Sequence, residues 1–174
     1  MMKKKFTKFK NLYVFEGKRY NDNRGFLREI FLEKIVKKKI NFTIVSCSKK
    51  NVLRGLHYQI INPQDKFIAV IKGKILDVVV DLRKNSKTFG KHFKIEVSEF
   101  NSKFLFVPKG FAHGFLGLNK ENIVVYSLTN YRNIEGERSL HWNDKDLKIK
   151  WGIKKPIVSK RDNQASSFKE FLKQ

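Results

Sequence analysis

Apolar residues along the 174-residue chain fall mostly in short runs, and turn-forming residues interrupt them. Runs rich in Val, Ile and Phe, bounded by Gly, Pro, Asn and Asp, predict strands rather than helices. The pattern predicts strands over residues 11–15 and 25–31, with Asn21, Asp22 and Asn23 as turn residues between them. It predicts two more over 67–71 and 75–82, flanking Lys72-Gly73-Lys74, where Gly73 suits a tight hairpin turn. Strands over 93–97, 104–107, 115–118 and 123–128 continue the series. Helical periodicity is convincing over 165–173, with a weaker candidate over 33–39 and with Ser159 and Asp162 as caps for the last helix. Short strands at this spacing predict an all-β fold, most economically a double-sheet jelly roll with a few short, mainly C-terminal helices.

Composition sharpens this picture. A hydrophobic content of 41% separates the chain from disordered sequences, and its length suits one domain over residues 1–174. No apolar run approaches the roughly 20 residues of a membrane span, and no apolar stretch follows the basic Met1-Met2-Lys3-Lys4-Lys5-Phe6 as a secretory signal would require. Cys47 is the sole cysteine, which excludes an intramolecular disulfide and fits a reducing cytoplasm. Beside Val45 it reads as a small, inert core or strand residue. The formal charge of +22 raises nucleic-acid binding as an alternative function. The excess is mostly lysine, however, scattered from Lys3 to Lys173, with no helix-turn-helix, zinc-finger or RNP pattern. A solvated, lysine-biased surface that attracts anionic small molecules is the favoured reading, so neither nucleic acid nor membrane is expected as a partner.

Two of the four histidines stand in unusual company. His57 lies in Arg54-Gly55-Leu56-His57-Tyr58-Gln59, and His113 in Pro108-Lys109-Gly110-Phe111-Ala112-His113-Gly114-Phe115. Each follows a strand-like stretch and a glycine that permits close backbone packing. His92 and His141 lack such a setting and read as satisfied structural residues. A metal cupin pairs two histidines one residue apart with a carboxylate and a third histidine, but here Gln59 stands two beyond His57 and no Glu follows at short distance. His57 and His113 alone would leave a divalent ion short of ligands, so no metal and no cofactor are expected. Acid–base chemistry fits better. His57 can take a proton acidified by a neighbouring carbonyl, Lys66 can stabilise the resulting enolate, and Tyr126, alternating with apolar neighbours, can return a proton from the other face.

The chain resembles the dTDP-4-dehydrorhamnose 3,5-epimerase family of cupin-fold enzymes. The resemblance rests on Asn23-Arg24-Gly25-Phe26-Leu27-Arg28-Glu29, residues 52–59, Lys66 through Asp81-Leu82-Arg83-Lys84, and Ser86-Lys87-Thr88-Phe89-Gly90. It continues through residues 107–115, Thr129-Asn130-Tyr131 and Leu140-His141-Trp142-Asn143-Asp144, in family order from about residue 11 to 162. It implies a cupin-type double-stranded β-helix and inversion at C3, C5 or both of a nucleotide-linked 4-keto-6-deoxy sugar. It also implies His57 as base, Asp162 orienting it, Tyr126 as acid and Lys66 on the enolate, with Arg54 and His113 lining the pocket. Arg24 and Glu29 match positions that contact the nucleotide, often from a partner subunit, in dimers that exchange N-terminal strands. One stretch departs: relatives commonly carry Gln-x-Asn where this chain has Phe42-Thr43-Ile44-Val45-Ser46-Cys47-Ser48. That leaves the nucleotide open between dTDP and GDP, and the sugar between a hexose and a heptose of capsule pathways. A sugar-nucleotide 3,4-ketoisomerase is the second enzymatic reading.

Overall fold

A strand covered on both faces forms an almost continuous apolar run, because neither side of its pleat meets water. Residues 67–71 and 78–80 are runs of this kind, and the computed structural model, which describes residues 2–173, places both away from a sheet edge. In chain order the strands are β1 (Lys3–Phe6), β2 (Tyr13–Glu16), β3 (Arg19–Asp22), β4 (Gly25–Arg28), β5 (Phe42–Lys49), β6 (Val52–Gln59) and β7 (Lys66–Lys72). They continue with β8 (Lys74–Asp81), β9 (His92–Ser98), β10 (Lys103–Val107), β11 (Phe111–Gly117), β12 (Glu121–Leu128), β13 (Glu137–Ser139) and β14 (Ile157–Val158). Helix α1 (Glu33–Val36) lies before β5, and α2 (Lys160–Asn163) and α3 (Phe168–Phe171) follow β14.

One sheet runs β1-β2-β10-β7-β12-β5 and the other β13-β6-β11-β8-β9, with β14 added parallel to β6. The two sheets form the double-layered jelly roll, and the β3–β4 hairpin pairs only with itself. Period-two alternation sorts the side chains. Ile68, Val70, Val79, Leu105, Phe115 and Val124 pack between the layers. Phe67, Ala69, Phe104 and Phe106 face outward instead, beneath residues 30–36. On the far side Val78, Val80, Ala112 and Leu116 meet Leu147, Trp151, Phe168 and Phe171 of the C-terminal segment. This threefold division explains why so many phenylalanines are needed: the central strands of each sheet are buried on both faces.

Several sequence expectations are corrected. Gly73 does not close a hairpin: β7 and β8 belong to different sheets, and the chain crosses between layers there. The crossing needs a positive φ (81°) and leaves no room for a side chain against Asn122, which is why glycine stands at this corner. The C-terminal helix is shorter than 165–173 because Ser166 bridges to Leu140 and Ser167 then caps α3 in a capping box with Glu170. Ser159 caps the separate turn α2, accepting from the Asp162 N–H, and Asp162 lies within that turn. Strands β5 and β6 were absent from the predicted series, since their mixed Ser, Cys, Arg and Gly content hides the alternation. Cys47 is a strand residue on β5 but is exposed, not core. The Asp81 to Gly90 block is a structural knot. Burial disfavours the Asp81 carboxylate, but bonds from Arg83, Ser86 and Thr88 overcome this and hold its pKa at about 2.

Candidate active site

The two histidine motifs meet because β6 and β11 pair side by side, with His57 opposite His113. The register shifts between His113 and Phe115, and the backbones come unusually close at the two glycines. A Cβ on Gly114 would stand 2.6 Å from the Arg54 carbonyl oxygen, and one on Gly55 2.6 Å from that of His113. The glycines therefore set where both imidazoles project.

Each imidazole is held by a carboxylate. His57 Nε2 lies 2.6 Å from Asp162 Oδ1, and the other Asp162 oxygen accepts the Gly55 N–H at 3.2 Å. Burial opposes the charged Asp162 carboxylate, yet the bonds from His57, Gly55 and Ser159 prevail and keep its pKa below the usual value. An ionised carboxylate only accepts, so His57 Nε2 carries the proton and Nδ1 is the nitrogen left to take one. His113 is buried and pairs through Nε2 with Asp77 Oδ2 at 2.9 Å. Asp77 was missed by sequence reasoning, although a lone acid inside Ile75-Leu76-Asp77-Val78-Val79-Val80 is itself a signal. A charge there needs a partner.

Tyr126 comes from the opposite layer. It sits on β12 between Ile68 of β7 and Ile44 of β5, and its ring meets the His113 ring edge-on at 6.1 Å. Burial pushes its phenol well above the ordinary tyrosine range, so it remains a proton donor at neutral pH. Lys66 opens β7, with Nζ 3.4 Å from the His57 carbonyl oxygen. Burial lowers its pKa to about 8, while Glu137 and Asp77 act to keep it charged.

His57, Lys66, His113, Tyr126 and Arg54 all line one cavity of about 470 Å³, a size usual for small-ligand sites. Arg54 is tethered to Ser48 Oγ at 2.9 Å. Asp162 stands behind His57 rather than on the wall. Phe42, Ile44 and Ser46 of the departing stretch form part of the same wall, as do Gln64, Arg132, Glu137 and Arg161, which sequence reasoning did not single out. Arg24 and Glu29 are not brought to this cavity. Both are exposed, Arg24 in the β3–β4 turn paired to Asp22 at 2.7 Å and Glu29 just beyond the hairpin. Among the described residues, no group of three His, Cys, Asp or Glu side chains is placed to hold a metal ion. The arrangement can remove a proton on one side of a bound ring and deliver one from the other.

A family model described as dTDP-4-dehydrorhamnose 3,5-epimerase matches residues 6–170. A dTDP-4-dehydrorhamnose 3,5-epimerase of Shigella flexneri is 39% identical over 170 residues, covering 93% of each chain. The Bacillus anthracis enzyme of that name, solved with TDP and pyrophosphate bound, superposes with a TM-score of 0.93 at 36% identity, over 97% of this chain and 100% of that one. A Legionella pneumophila 3,5-epimerase in complex with dTDP-4-keto-L-rhamnose gives a TM-score of 0.91 at 36% identity, over 96% and 93%.

Proposed function

The chain belongs to the dTDP-4-dehydrorhamnose 3,5-epimerase family, and from that premise we propose that it inverts C3 and C5 of a dTDP-linked 4-keto-6-deoxy hexose without a cofactor. The observation that carries this reading is the placement of His57 and Tyr126 on facing layers of one cavity, with Lys66 in its wall. His57 Nδ1 takes the proton from the carbon beside the ketone, and the C–H electron pair becomes the enolate double bond. Negative charge moves onto the C4 oxygen, where the Lys66 ammonium neutralises it. The Tyr126 hydroxyl then gives its proton to the opposite face of the same carbon, and the carbonyl re-forms. Asp162 fixes the imidazole's orientation and tautomer. Arg54 supplies a cation suited to a phosphate oxygen.

The names of the relatives favour dTDP over GDP and a hexose over a heptose. Phe42 and Ile44, apolar residues of the cavity wall, then bear on how the nucleobase is held rather than on which reaction is run. We further assign the chain to one domain, to the cytoplasm, where a lone exposed Cys47 suits a reducing medium, and to a homodimer. The exposed β1 strand and the hairpin residues Tyr20, Phe26 and Leu27 support a second copy covering that side, bringing Arg24 and Glu29 to its cavity.

Incubation of the protein with such a sugar nucleotide in heavy water tests the reaction. One deuteron each at C3 and C5, with inversion, is the expected result. His57→Asn should abolish incorporation. Tyr126→Phe should permit exchange without inversion, because only His57 remains to return the proton. No incorporation by the parent protein, or a relocated ketone without inversion, would overturn the reading.

A further inference from the structure

Two arginines from separate segments close on one carboxylate at the edge of the cavity. Glu137 on β13 accepts from Arg132 Nε at 2.6 Å and Nη2 at 2.9 Å, and from Arg161 Nη1 at 2.9 Å. The Arg132 hydrogen bond, with Arg161 adding to it against the effect of burial, holds the Glu137 pKa at about 2, so the carboxylate stays charged. All three side chains line the cavity, and the arginines are 59% and 52% exposed against 20% for Glu137.

The consequence lies one residue away. Arg161 immediately precedes Asp162, whose carboxylate sets the His57 ring. Both sit in α2, a single turn that is too short to hold its own shape. Glu137, by contrast, is anchored: β13 pairs with β6, placing Glu137 opposite Gln59 and Ser139 opposite His57. The ion pair therefore ties the turn carrying Asp162 to β13, the strand paired alongside the one that carries the imidazole. We propose that Glu137 is a positioning residue for proton transfer, holding Asp162 and the His57 ring in register through Arg161. The proposal rests on the epimerase reading for its kinetic consequence, but not for its geometric one. Ion pairs this exposed add little to stability, so the effect falls on placement, to which proton transfer is far more sensitive.

The test compares the parent with Glu137→Ala, Arg161→Ala and Arg161→Lys, using deuterium incorporation into the sugar nucleotide, thermal melting and the NMR resonance of the His57 ring N–H shared with Asp162. Glu137→Ala and Arg161→Ala should lower kcat by about 10- to 100-fold, leave KM within about threefold and melting within a few degrees, and broaden or remove the ring resonance. Arg161→Lys, which keeps a cation, should recover part of kcat. Unchanged kcat, a loss confined to KM, or a ring resonance that survives in Glu137→Ala would overturn the proposal. The resonance needs no substrate. Should the parent fail to exchange deuterium, the epimerase reading falls, and the positioning claim stands or falls on that signal alone.

Discussion

Lys66 shows how burial and charge compete within one side chain. In the proposed reaction its ammonium meets the enolate, yet burial lowers its pKa from 10.5 to about 8, with Glu137 on β13 and Asp77 on β8 opposing the shift. Between about pH 8 and 10.5 the unfolded chain holds more protons at this site than the folded one. Stability attributable to Lys66 therefore rises with pH across that window, and below about pH 8 the full penalty of burying the charge applies. Activity runs the other way, because losing that proton removes the cation that stabilises the enolate. The kcat/KM profile should show an alkaline limb near pH 8. Lys66→Arg, whose guanidinium stays charged, should displace the limb upward. A limb at the same pH in both proteins would assign the titration to another group.

Elements convert such residues into a site, and the glycines show how tightly. Gly114 lies where β11 and β6 approach, with its missing Cβ 2.6 Å from the Arg54 carbonyl oxygen and 3.3 Å from Leu56 Cδ2. Gly114→Ala should cost about 1–3 kcal/mol of stability by overpacking, readable by denaturant unfolding. It should also reduce activity, since the strands that would separate carry His57 and His113; full activity at native stability would show that the crossing tolerates a side chain. Gly114 was not singled out, since only the glycines preceding the histidines drew attention, but Gly55 and both histidines were legible as a motif. So was Tyr126, through its place among the apolar residues of the predicted 123–128 strand, whereas β5 and β6 were not, because cavity-lining Ser46, Arg54 and His57 interrupt their apolar pattern. Gly73 was misread because a turn between two apolar runs looks the same whether the runs pair or part into separate layers. Local pattern fixes the bend but not the partner. Asp162 is reached from about a hundred residues away, and only the family resemblance pointed to it. Glu137 and its arginines gave no sequence signal, because loop charges look alike until the fold brings them together.

At the scale of the whole molecule, the +22 charge and the stray hairpin bear on the same question. Scattered lysines raise the positive potential everywhere and draw an anionic substrate toward the surface without specifying where it binds. Specific capture of a diphosphate needs guanidinium groups at fixed points, and Arg54 supplies one inside the cavity. Arg24 stands outside it, 86% exposed and paired only within its own turn, an interaction weak enough to yield to a phosphate. A two-fold dimer that carries the β3–β4 hairpin across to a second copy would give each cavity the Arg24 of its neighbour. Complementation tests this directly. Arg24→Ala and His57→Asn chains should each be impaired alone, through KM and through kcat respectively. Co-expressed, half of the dimers would be hybrids and each hybrid would hold one intact site, made of a parental His57 cavity and a parental Arg24 arm. Activity at low substrate should then recover to about a quarter of the parental value. If Arg24 served its own chain's cavity, the hybrid's two sites would carry one lesion each and the mixture would show only the average of the two variants.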